Sequence, residues 1–351
     1  MLQGYAQYPS FIVFCSISMC VLFSLIITPF WKRLLKKSHI GQQVRIDGPE
    51  THLVKQGTPT MGGVVMLIAM LLTVTIMGIW SPEVIALVLA ILVAGLLGLI
   101  DDVSKVVFHR SLGLTPTVKL IFQFLIATVF ILYAINCLGI TPIITIPFVI
   151  DLDLGVITTI IPIGNGIVVP WLYLILIDIL LVGMCNACNL ADGLDGLAAG
   201  SSVIIMVVMA AVSYRADSLS CAIISGALAG GCIGFLWHNA FPADIFMGDT
   251  GSLALGMGLA CLSVLTKTEV LSIIIGGMYV VEAFSVFIQV LHYKRTKKRI
   301  FLMAPLHHHF EKKGWSETKV VVRFWIITGI LSSFGFAIYF SWTLMLKMGA
   351  M

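Results

Sequence analysis

The amino-acid sequence predicts an all-α, polytopic membrane protein with about ten transmembrane helices and both termini outside. Of its 351 residues, 59% are hydrophobic and 11% are charged, and the mean hydropathy is +1.05. About a quarter of the residues of an ordinary soluble domain are charged. Apolar stretches long enough to cross a bilayer recur along the chain, and almost all basic residues lie in alternate loops. The composition excludes an ordinary soluble protein.

Ten apolar stretches follow one another, and we interpret each as one transmembrane helix. They are residues 11–31, 61–80, 84–100, 118–138, 171–184, 197–214, 219–237, 252–265, 271–292 and 322–345. An even number of crossings places both termini on one side. Residues 140–169, which are rich in Ile, Thr, Pro and Gly, are too broken for a straight helix. They predict a short β-hairpin or a re-entrant segment on the side of the termini.

The basic residues predict the orientation, because short cytoplasmic loops carry an excess of Lys and Arg. All of the 21 Lys and Arg residues except Arg215, Lys267 and Lys347 lie in or beside the loops that follow spans one, three and nine. These loops are therefore predicted to be cytoplasmic, and the two termini periplasmic. No low-complexity linker divides the chain, so residues 1–351 are predicted to form a single integral membrane domain.

Five polar motifs fall on this predicted cytoplasmic side. They are KQGTPTMGG (55–63), DDVSK (101–105), NACNLADGLDGLAAG (186–200), FMGDTGS (246–252) and FLMAPLHHHFEKKG (301–314). Motifs scattered at random would lie on both sides of the membrane. Their common location predicts one site at the cytoplasmic boundary of the bilayer.

Acidic residues dominate this predicted site. On a continuing helix Lys105 lies within reach of both Asp101 and Asp102, and a solvated helix end with an ion pair would account for these three residues alone. Three more acids lie among glycines on the same side: Asp192, Asp195 and Asp249. Acids on oxygen-rich loops suit a hard divalent cation such as Mg²⁺, held together with substrate phosphates. The cluster therefore favours phosphate chemistry.

Two other features, the glycines and the histidine triplet, fit phosphate chemistry without requiring it. Glycines in the first and fourth motifs would let backbone N–H groups approach a phosphate closely, although helix packing also uses glycine. In the His307–His309 triplet, neighbouring side chains point about 100° apart on a helix. All three rings cannot face one ion, so phosphate contact is favoured over metal ligation. The basic run 294–299 is better explained by membrane orientation and lipid contact than by substrate binding.

Two acids lie deeper in predicted spans, Asp178 in span five and Glu282 in span nine. At 1.5 Å per residue they are roughly 12 and 15 Å from the boundary site, and we interpret both as interior polar pairs. A transporter that moves ions through these acids is an alternative interpretation. Transport sites usually lie near the bilayer midplane, whereas the motifs here lie at one boundary.

The motifs GTPTMGG, DDVSK, NLADGLDGLA, FMGDTGS and FLMAPLHHHFE, in this order across ten spans, resemble the phospho-N-acetylmuramoyl-pentapeptide transferase family. The APLHHHFE segment distinguishes that family from WecA-type transferases, which use UDP-GlcNAc and are the alternative. The resemblance implies a Mg²⁺-dependent, homodimeric, multi-pass enzyme of the bacterial inner membrane. It would transfer phospho-MurNAc-pentapeptide from UDP-MurNAc-pentapeptide to undecaprenyl phosphate on the cytoplasmic face, giving lipid I and UMP. No nucleic-acid partner is expected.

The resemblance also implies roles for individual residues. Asp249 would be the Mg²⁺ ligand, and Asp101, Asp102, Asp249 and His308 would be catalytic. The residues implied to bind substrate are Lys55, Thr60, Lys105, Asn186, Asn189, Asp192, Gly193, Leu194, Asp195, Phe246, His307 and His309. Ala191 departs from the family pattern, in which Thr or Ser is more usual, and it removes a hydroxyl from that loop. Direct attack by the lipid phosphate and a covalent aspartyl intermediate both remain open as mechanisms.

Overall fold

The computed structural model describes residues 8–37, 57–108, 113–162 and 166–349, which form twelve helices and four short strands. The elements are α1 (Pro9–Lys37), α2 (Gly63–Met77), α3 (Pro82–Val107), α4 (Pro116–Leu138), β1 (Ile143–Ile146), β2 (Ile150–Asp153), β3 (Thr158–Ile161), β4 (Ile167–Pro170), α5 (Trp171–Ala191), α6 (Leu197–Arg215), α7 (Leu219–Asn239), α8 (Gly248–Leu265), α9 (Glu269–Ile275), α10 (Gly277–Thr296), α11 (Leu306–Lys312) and α12 (Glu317–Lys347). Every predicted span is largely helical. The prediction of a helical, multi-pass membrane protein is confirmed.

The spans differ from ideal transmembrane helices at two places. Within the described ranges, eight helices are long and apolar enough to cross a membrane, and the count is nine if α9 and α10, which are bent by 82° relative to each other, are taken as one broken span. Helix α2 has 15 residues, about 22 Å at 1.5 Å per residue, which is shorter than the roughly 30 Å hydrocarbon core. It ends where Gly78 adopts a left-handed conformation, with φ of 63°. The count of ten and the side of the termini stay predictions.

The segment between α4 and α5 forms two β-hairpins, where one was predicted. Strand β1 pairs antiparallel with β2, and β3 pairs antiparallel with β4. The strands consist mainly of Ile, Val and Thr, whose branched side chains favour extended structure. The hairpins lie at the end of the bundle where α4 ends and α5 begins, and Lys267 donates from that end to the carbonyl of Thr141 at 3.1 Å.

Helix α8 is the centre of the bundle and packs against α3 and α5. Apart from its first two residues it is buried along its whole length. Its neighbours approach closely through glycines, since a Cβ added to Gly98 would lie 2.2 Å from the Asp249 carbonyl oxygen, and one added to Gly256 would lie 2.6 Å from the Cα of Cys185. Small residues allow such backbone contact between membrane helices. The contact brings the start of α8 to the end of α3.

Helices α3 and α4 start with the same local signal. Ser81 and Thr115 are N-caps followed by proline, and their hydroxyls accept from the backbone N–H three residues on, at 3.2 and 3.4 Å. Proline at the first helical position costs no hydrogen bond, because that N–H has no partner within the helix. The Thr115 cap places Lys119 in the first turn of α4, at the end of the bundle where α3 ends.

Candidate active site

Three carboxylates converge where α3 ends and α8 begins. Asp101 and Asp102 lie near the end of α3, and Asp249 lies in the first turn of α8. One oxygen from each can be chosen so that all three atoms lie within 4.8 Å of one another. Asp101 and Asp102 are both 2% exposed. The structure therefore brings together the two acidic motifs, 147 residues apart, that the sequence assigned to one site.

Lys105 joins all three carboxylates. Its Nζ lies 2.7 Å from Asp101 Oδ2, 3.0 Å from Asp249 Oδ2 and 3.5 Å from Asp102 Oδ1. The contacts with Asp101 and Asp102 follow from helical spacing, whereas the contact with Asp249 depends on the packing of α8 against α3. An ammonium in this position limits the mutual repulsion of the acids.

Lys119 is a member of the site that the sequence did not reveal. Its ammonium forms a hydrogen bond with Asp249 Oδ2 and lies 3.8 Å from Asp101 Oδ2. In the sequence it looks like any basic residue of a cytoplasmic loop. The available signal is the Thr115-Pro116 cap, which fixes Lys119 one turn into α4 at the predicted boundary. The cluster thus contains two cations facing three carboxylates.

Helix α5 supplies two amides to the site. Asn189 Nδ2 donates to Asp249 Oδ1 at 2.9 Å and to Ser252 Oγ at 2.8 Å, so it orients the carboxylate of Asp249. Asn186 Nδ2 donates to Gln123 Oε1 at 2.7 Å. Gln123 is fully buried in α4 and was not predicted from the sequence. Both predicted amides lie on the end of α5 that faces the carboxylates.

The loop from α5 to α6 carries four predicted substrate-binding residues. Asp192 is half-buried, and its burial, together with the negative charges of Asp249 and Asp102, raises its pKa to about 8. A Cβ added to Gly193 would lie 2.3 Å from His307 Nε2, so this loop packs directly against the histidine segment. The third of these residues, Leu194, is buried in a small apolar cluster.

Asp195 is held by backbone contacts on both sides. Its Oδ2 accepts from the Ala243 N–H at 2.9 Å, and its own N–H donates to Glu317 Oε1 at 2.8 Å. Asn239, which the sequence analysis did not single out, accepts from the Gly196 N–H at 3.1 Å and donates to the Ile245 carbonyl at 3.0 Å. These bonds fix the loop beside the segment that leads into α8.

The segment before α2 pairs with the segment before α8. Phe246 N–H donates to the Pro59 carbonyl, and Gly62 N–H donates to the Phe246 carbonyl, each at 2.8 Å. Thr60 is buried, and its hydroxyl oxygen would lie 3.0 Å from a Cβ added to Gly248. The structure thus brings two of the predicted substrate-binding residues to the start of α8. Lys55 lies outside the described residues.

The histidine triplet starts α11, and its three rings lie in three environments. His307 is fully buried, His308 Nδ1 lies 2.7 Å from Glu311 Oε2, and His309 Nδ1 accepts from the Leu302 N–H at 3.1 Å. The His307 and His308 rings lie 4.2 Å apart, whereas His309 is directed at the Leu302 backbone, so the three rings do not face one point.

The position of Glu282 corrects the sequence interpretation. Its carboxylate accepts from the N–H groups of Leu306 and His307 at 2.7 and 3.2 Å, so it contacts the boundary segment that it was predicted not to reach. The distance argument assumed that the histidine segment stays beyond the end of the helix, but this segment folds back onto α10, so that the start of α11 meets Glu282. Asp178, in contrast, accepts from Thr128 Oγ1 at 2.8 Å as an interior polar pair between α4 and α5.

The donor set fits a hard cation and phosphate groups. Carboxylate oxygens are the ligands that Mg²⁺ prefers in proteins, usually together with substrate phosphates, and the three carboxylates lie close enough to share one ion. The ammonium groups of Lys105 and Lys119 both contact Asp249 Oδ2, so this oxygen faces the positively charged side of the cluster. Such a site can position and neutralise phosphate oxygens.

The chain is similar to known transferases over most of its length. Residues 84–267 match the family described as Glycosyl transferase family 4, and residues 55–67 match signature 1 of phospho-N-acetylmuramoyl-pentapeptide-transferase. Proteins named phospho-N-acetylmuramoyl-pentapeptide-transferase are 43% identical in Rubrobacter xylanophilus (88% of this chain, 91% of the relative), 46% in Caldicellulosiruptor bescii (88% and 91%) and 42% in Neisseria gonorrhoeae (94% and 93%).

Proposed function

Because the chain belongs to the phospho-N-acetylmuramoyl-pentapeptide-transferase family, we propose that it transfers phospho-MurNAc-pentapeptide from UDP-MurNAc-pentapeptide to undecaprenyl phosphate. The products are lipid I and UMP. The observation that carries this assignment is the cluster of Asp101, Asp249, Lys105 and Lys119 at the ends of membrane helices. A cluster at helix ends suits the head group of a lipid phosphate whose chain stays in the bilayer.

Mg²⁺ fits this site as the cofactor. Asp249 would hold the ion, with Asp101 adjacent, because these carboxylates face the same two ammonium groups. When bound, the ion supplies positive charge that neutralises the diphosphate of the nucleotide sugar. Asn189 keeps Asp249 in the orientation needed for this task, since it occupies Oδ1 and leaves Oδ2 towards the cations.

The mechanism that this chemistry favours is direct displacement. An oxygen of the lipid phosphate forms a bond to the β-phosphorus of UDP-MurNAc-pentapeptide, while the bond from that phosphorus to the bridging oxygen breaks and UMP leaves with the electron pair. The lipid phosphate has a second pKa near 6 and is already mostly ionised at pH 7, so a general base adds little. The task of the protein is positioning and charge neutralisation.

Individual side chains support these two requirements. Lys105 and Lys119 would exchange their carboxylate contacts for phosphate oxygens of the two substrates. His308, oriented by Glu311, would contact the diphosphate. The packing of His307 against Gly193 links the histidine segment to the α5–α6 loop, where Asp192 and Leu194 would border the nucleoside.

The alternative with a covalent aspartyl intermediate makes a distinct kinetic prediction. Without lipid acceptor, the direct route releases no UMP in a single turnover of labelled nucleotide sugar. A burst of UMP equal to the amount of enzyme would overturn the direct route and would identify an aspartate as the nucleophile.

The decisive test of the function is substrate choice by the purified protein. We expect UMP release with undecaprenyl phosphate, Mg²⁺ and UDP-MurNAc-pentapeptide, and none with UDP-GlcNAc or with the Asp249→Asn variant. Release with UDP-GlcNAc alone would assign the chain to the WecA-type reaction. Release with neither substrate, from protein that remains folded, would overturn the transferase assignment.

Two further features are part of the proposal. We propose that the site lies on the cytoplasmic face of the bacterial inner membrane, where a soluble nucleotide sugar is available, and the basic loops support this orientation. The protein is proposed to act as a homodimer, on family resemblance alone, and size measurement of the detergent-solubilised protein tests this. Neither feature is needed for the chemistry above.

A further inference from the structure

We propose that Asp102 is a positioning residue: it caps the first turn of α8 and thereby fixes Asp249, and it does not itself bind metal or substrate. The inference rests on the proposed metal role of Asp249. It separates two neighbouring carboxylates, Asp101 and Asp102, that the sequence motif presents as an equivalent pair.

Asp102 accepts three hydrogen bonds from the start of α8. Its Oδ1 accepts from the N–H of Asp249 at 3.1 Å, and its Oδ2 accepts from the N–H and the hydroxyl of Thr250 at 3.0 and 2.8 Å. The first N–H groups of a helix have no partner within the helix. Here a carboxylate from another helix satisfies two of them, and its charge also complements the positive end of the helix dipole.

Asp102 is enclosed on the side that faces α8. It is 2% exposed, and a Cβ added to Gly248 would lie 2.5 Å from its Oδ2. Gly248 has a φ of 73°, a conformation that glycine adopts readily. The chain enters α8 directly over the Asp102 carboxylate, so little room remains for a ligand between them.

Asp101 has a different environment although it is the next residue. Its Oδ1 accepts from the Leu114 N–H at 2.8 Å, but its Oδ2 faces the ammonium groups of Lys105 and Lys119 at 2.7 and 3.8 Å. Among the described lysines and arginines, only Lys105 approaches Asp102, and at the longer distance of 3.5 Å. Successive residues on a helix point about 100° apart, which explains why one carboxylate faces the charged cluster and the other faces α8.

The cap acts on the residue that carries the proposed metal ligand. Because the N–H of Asp249 is itself one of the bonded donors, the Asp102 carboxylate fixes the backbone from which the Asp249 side chain extends. An Asn at position 102 keeps one acceptor oxygen but turns an NH₂ group towards N–H donors. Loss of a hydrogen bond to a charged group, if it disturbs the orientation of Asp249, corresponds to about tenfold or more in affinity.

The test measures binding of Mn²⁺, as a spectroscopic probe for a hard cation, by electron paramagnetic resonance without substrate. Asp102→Asn is expected to weaken Mn²⁺ binding about tenfold, and Thr250→Val, which removes only the hydroxyl donor, to weaken it less. If both act through the same cap, the double variant binds about as well as Asp102→Asn alone. Asp249→Asn serves as the variant that has lost the proposed ligand.

Amide hydrogen exchange of the peptide that covers the first turn of α8 supplies an independent readout. The amides of Asp249 and Thr250 should exchange faster in Asp102→Asn than in the wild type. In activity assays, the Mg²⁺ concentration for half-maximal rate should rise more than the KM for the nucleotide sugar, a difference that a general loss of folded protein would not produce.

Each of the following results would overturn the inference. Unchanged Mn²⁺ affinity in Asp102→Asn would show that the cap does not position Asp249. Affinity lost as completely as in Asp249→Asn, with the first-turn amides still protected, would make Asp102 a direct ligand. Additive effects in the double variant would show that Asp102 and Thr250 do not act through one cap. If the wild type binds no Mn²⁺, the proposed metal role fails, and unchanged amide exchange in Asp102→Asn would then overturn the cap as well.

Discussion

Lys119 connects the first turn of α4 to the carboxylates of α3 and α8. Its ammonium bonds to Asp249 and lies near Asp101, and its side chain is 15% exposed. A cation held in this partly buried place interacts with phosphate charge more strongly than one in water. Under the proposed function, Lys119 would therefore neutralise charge on the transferred phosphate.

Replacement of Lys119 by Met tests this role. We expect kcat to fall by about 10²–10³, the usual effect of removing one preorganised charge-stabilising group, while the protein stays folded. Lys37→Met, which alters an exposed lysine at the end of α1, is the matched control and should keep wild-type kcat. A Lys119→Met enzyme with undiminished kcat would remove this residue from the chemistry.

Asp192 predicts a pH dependence of stability. In the folded protein its pKa is about 8, whereas the pKa of an unfolded Asp is near 3.9. Folding thus takes up a proton between these values, and the wild type loses stability as the pH rises from about 4 to about 8. Asp192→Asn cannot ionise and escapes this loss.

Thermal unfolding in detergent, without divalent cations, checks this prediction. The midpoint of Asp192→Asn should exceed that of the wild type by a few degrees at pH 8.5, and the difference should shrink at pH 5. Asp151→Asn, which alters an exposed acid in β2, should show no such trend. An equal shift of Asp192→Asn at both pH values would contradict a raised pKa.

Residues inside a motif could be predicted to lie in the site, but residues outside one could not. Asp101, Asp102, Asn189 and Asp249 meet as the shared location of the motifs indicated. Lys119 and other members of the site enter from ordinary-looking helix positions. Their participation depends on which helix faces which, and single-sequence periodicity does not contain that information.

At the level of elements, α8 packs so closely on α3 that a glycine is required between them. A Cβ at Gly98 would lie 2.2 Å from the Asp249 carbonyl oxygen, and this neighbour is backbone that cannot rotate away. Helix α8 would have to move, and the start of α8 carries the proposed metal ligand. Stability and activity therefore depend together on this contact.

Gly98→Ala should destabilise the protein by about 1–3 kcal/mol, as overpacking usually does, and should lower the transferase rate of the protein that remains folded. Gly183→Ala in α5 is the matched control, because no atom lies within 4 Å of its added Cβ. This control should be neutral or stabilising, since alanine favours helix over glycine. Equal behaviour of the two variants would contradict the close contact.

The elements that the sequence did not predict share one physical cause. Helix α2 stops early at a left-handed Gly78, and the ninth span bends at Gly276. Glycine within an apolar run can continue a helix, end it or bend it, and the surrounding packing decides which. For this reason the apolar stretches were located correctly, while the early end of α2 and the bend were not.

At the level of the whole molecule, the alternation of helix directions separates two ends. The carboxylate cluster lies at one end and the β-hairpins lie at the other, which is where α4 ends and α5 begins. The distribution of Lys and Arg predicts that the end with the cluster is cytoplasmic.

Cysteine labelling tests this orientation. In a background with the exposed Cys137 replaced by Ser, Val156→Cys in the hairpin region should react with a membrane-impermeant maleimide in spheroplasts. Lys298→Cys, in the basic segment after α10, should react only after permeabilisation. The reverse pattern would invert the protein in the membrane and would move the site to the outer face.

The location of the carboxylate–lysine cluster at the ends of apolar helices also affects how its kinetics must be expressed. An acceptor that stays in the membrane meets the enzyme by lateral diffusion, so its effective concentration is a mole fraction within the lipid or micelle phase and not a bulk molarity. Extra detergent, with every bulk concentration constant, spreads the acceptor over more micelles and slows the reaction. A Michaelis constant for the lipid is therefore a surface density, whereas that for the nucleotide sugar is an ordinary concentration.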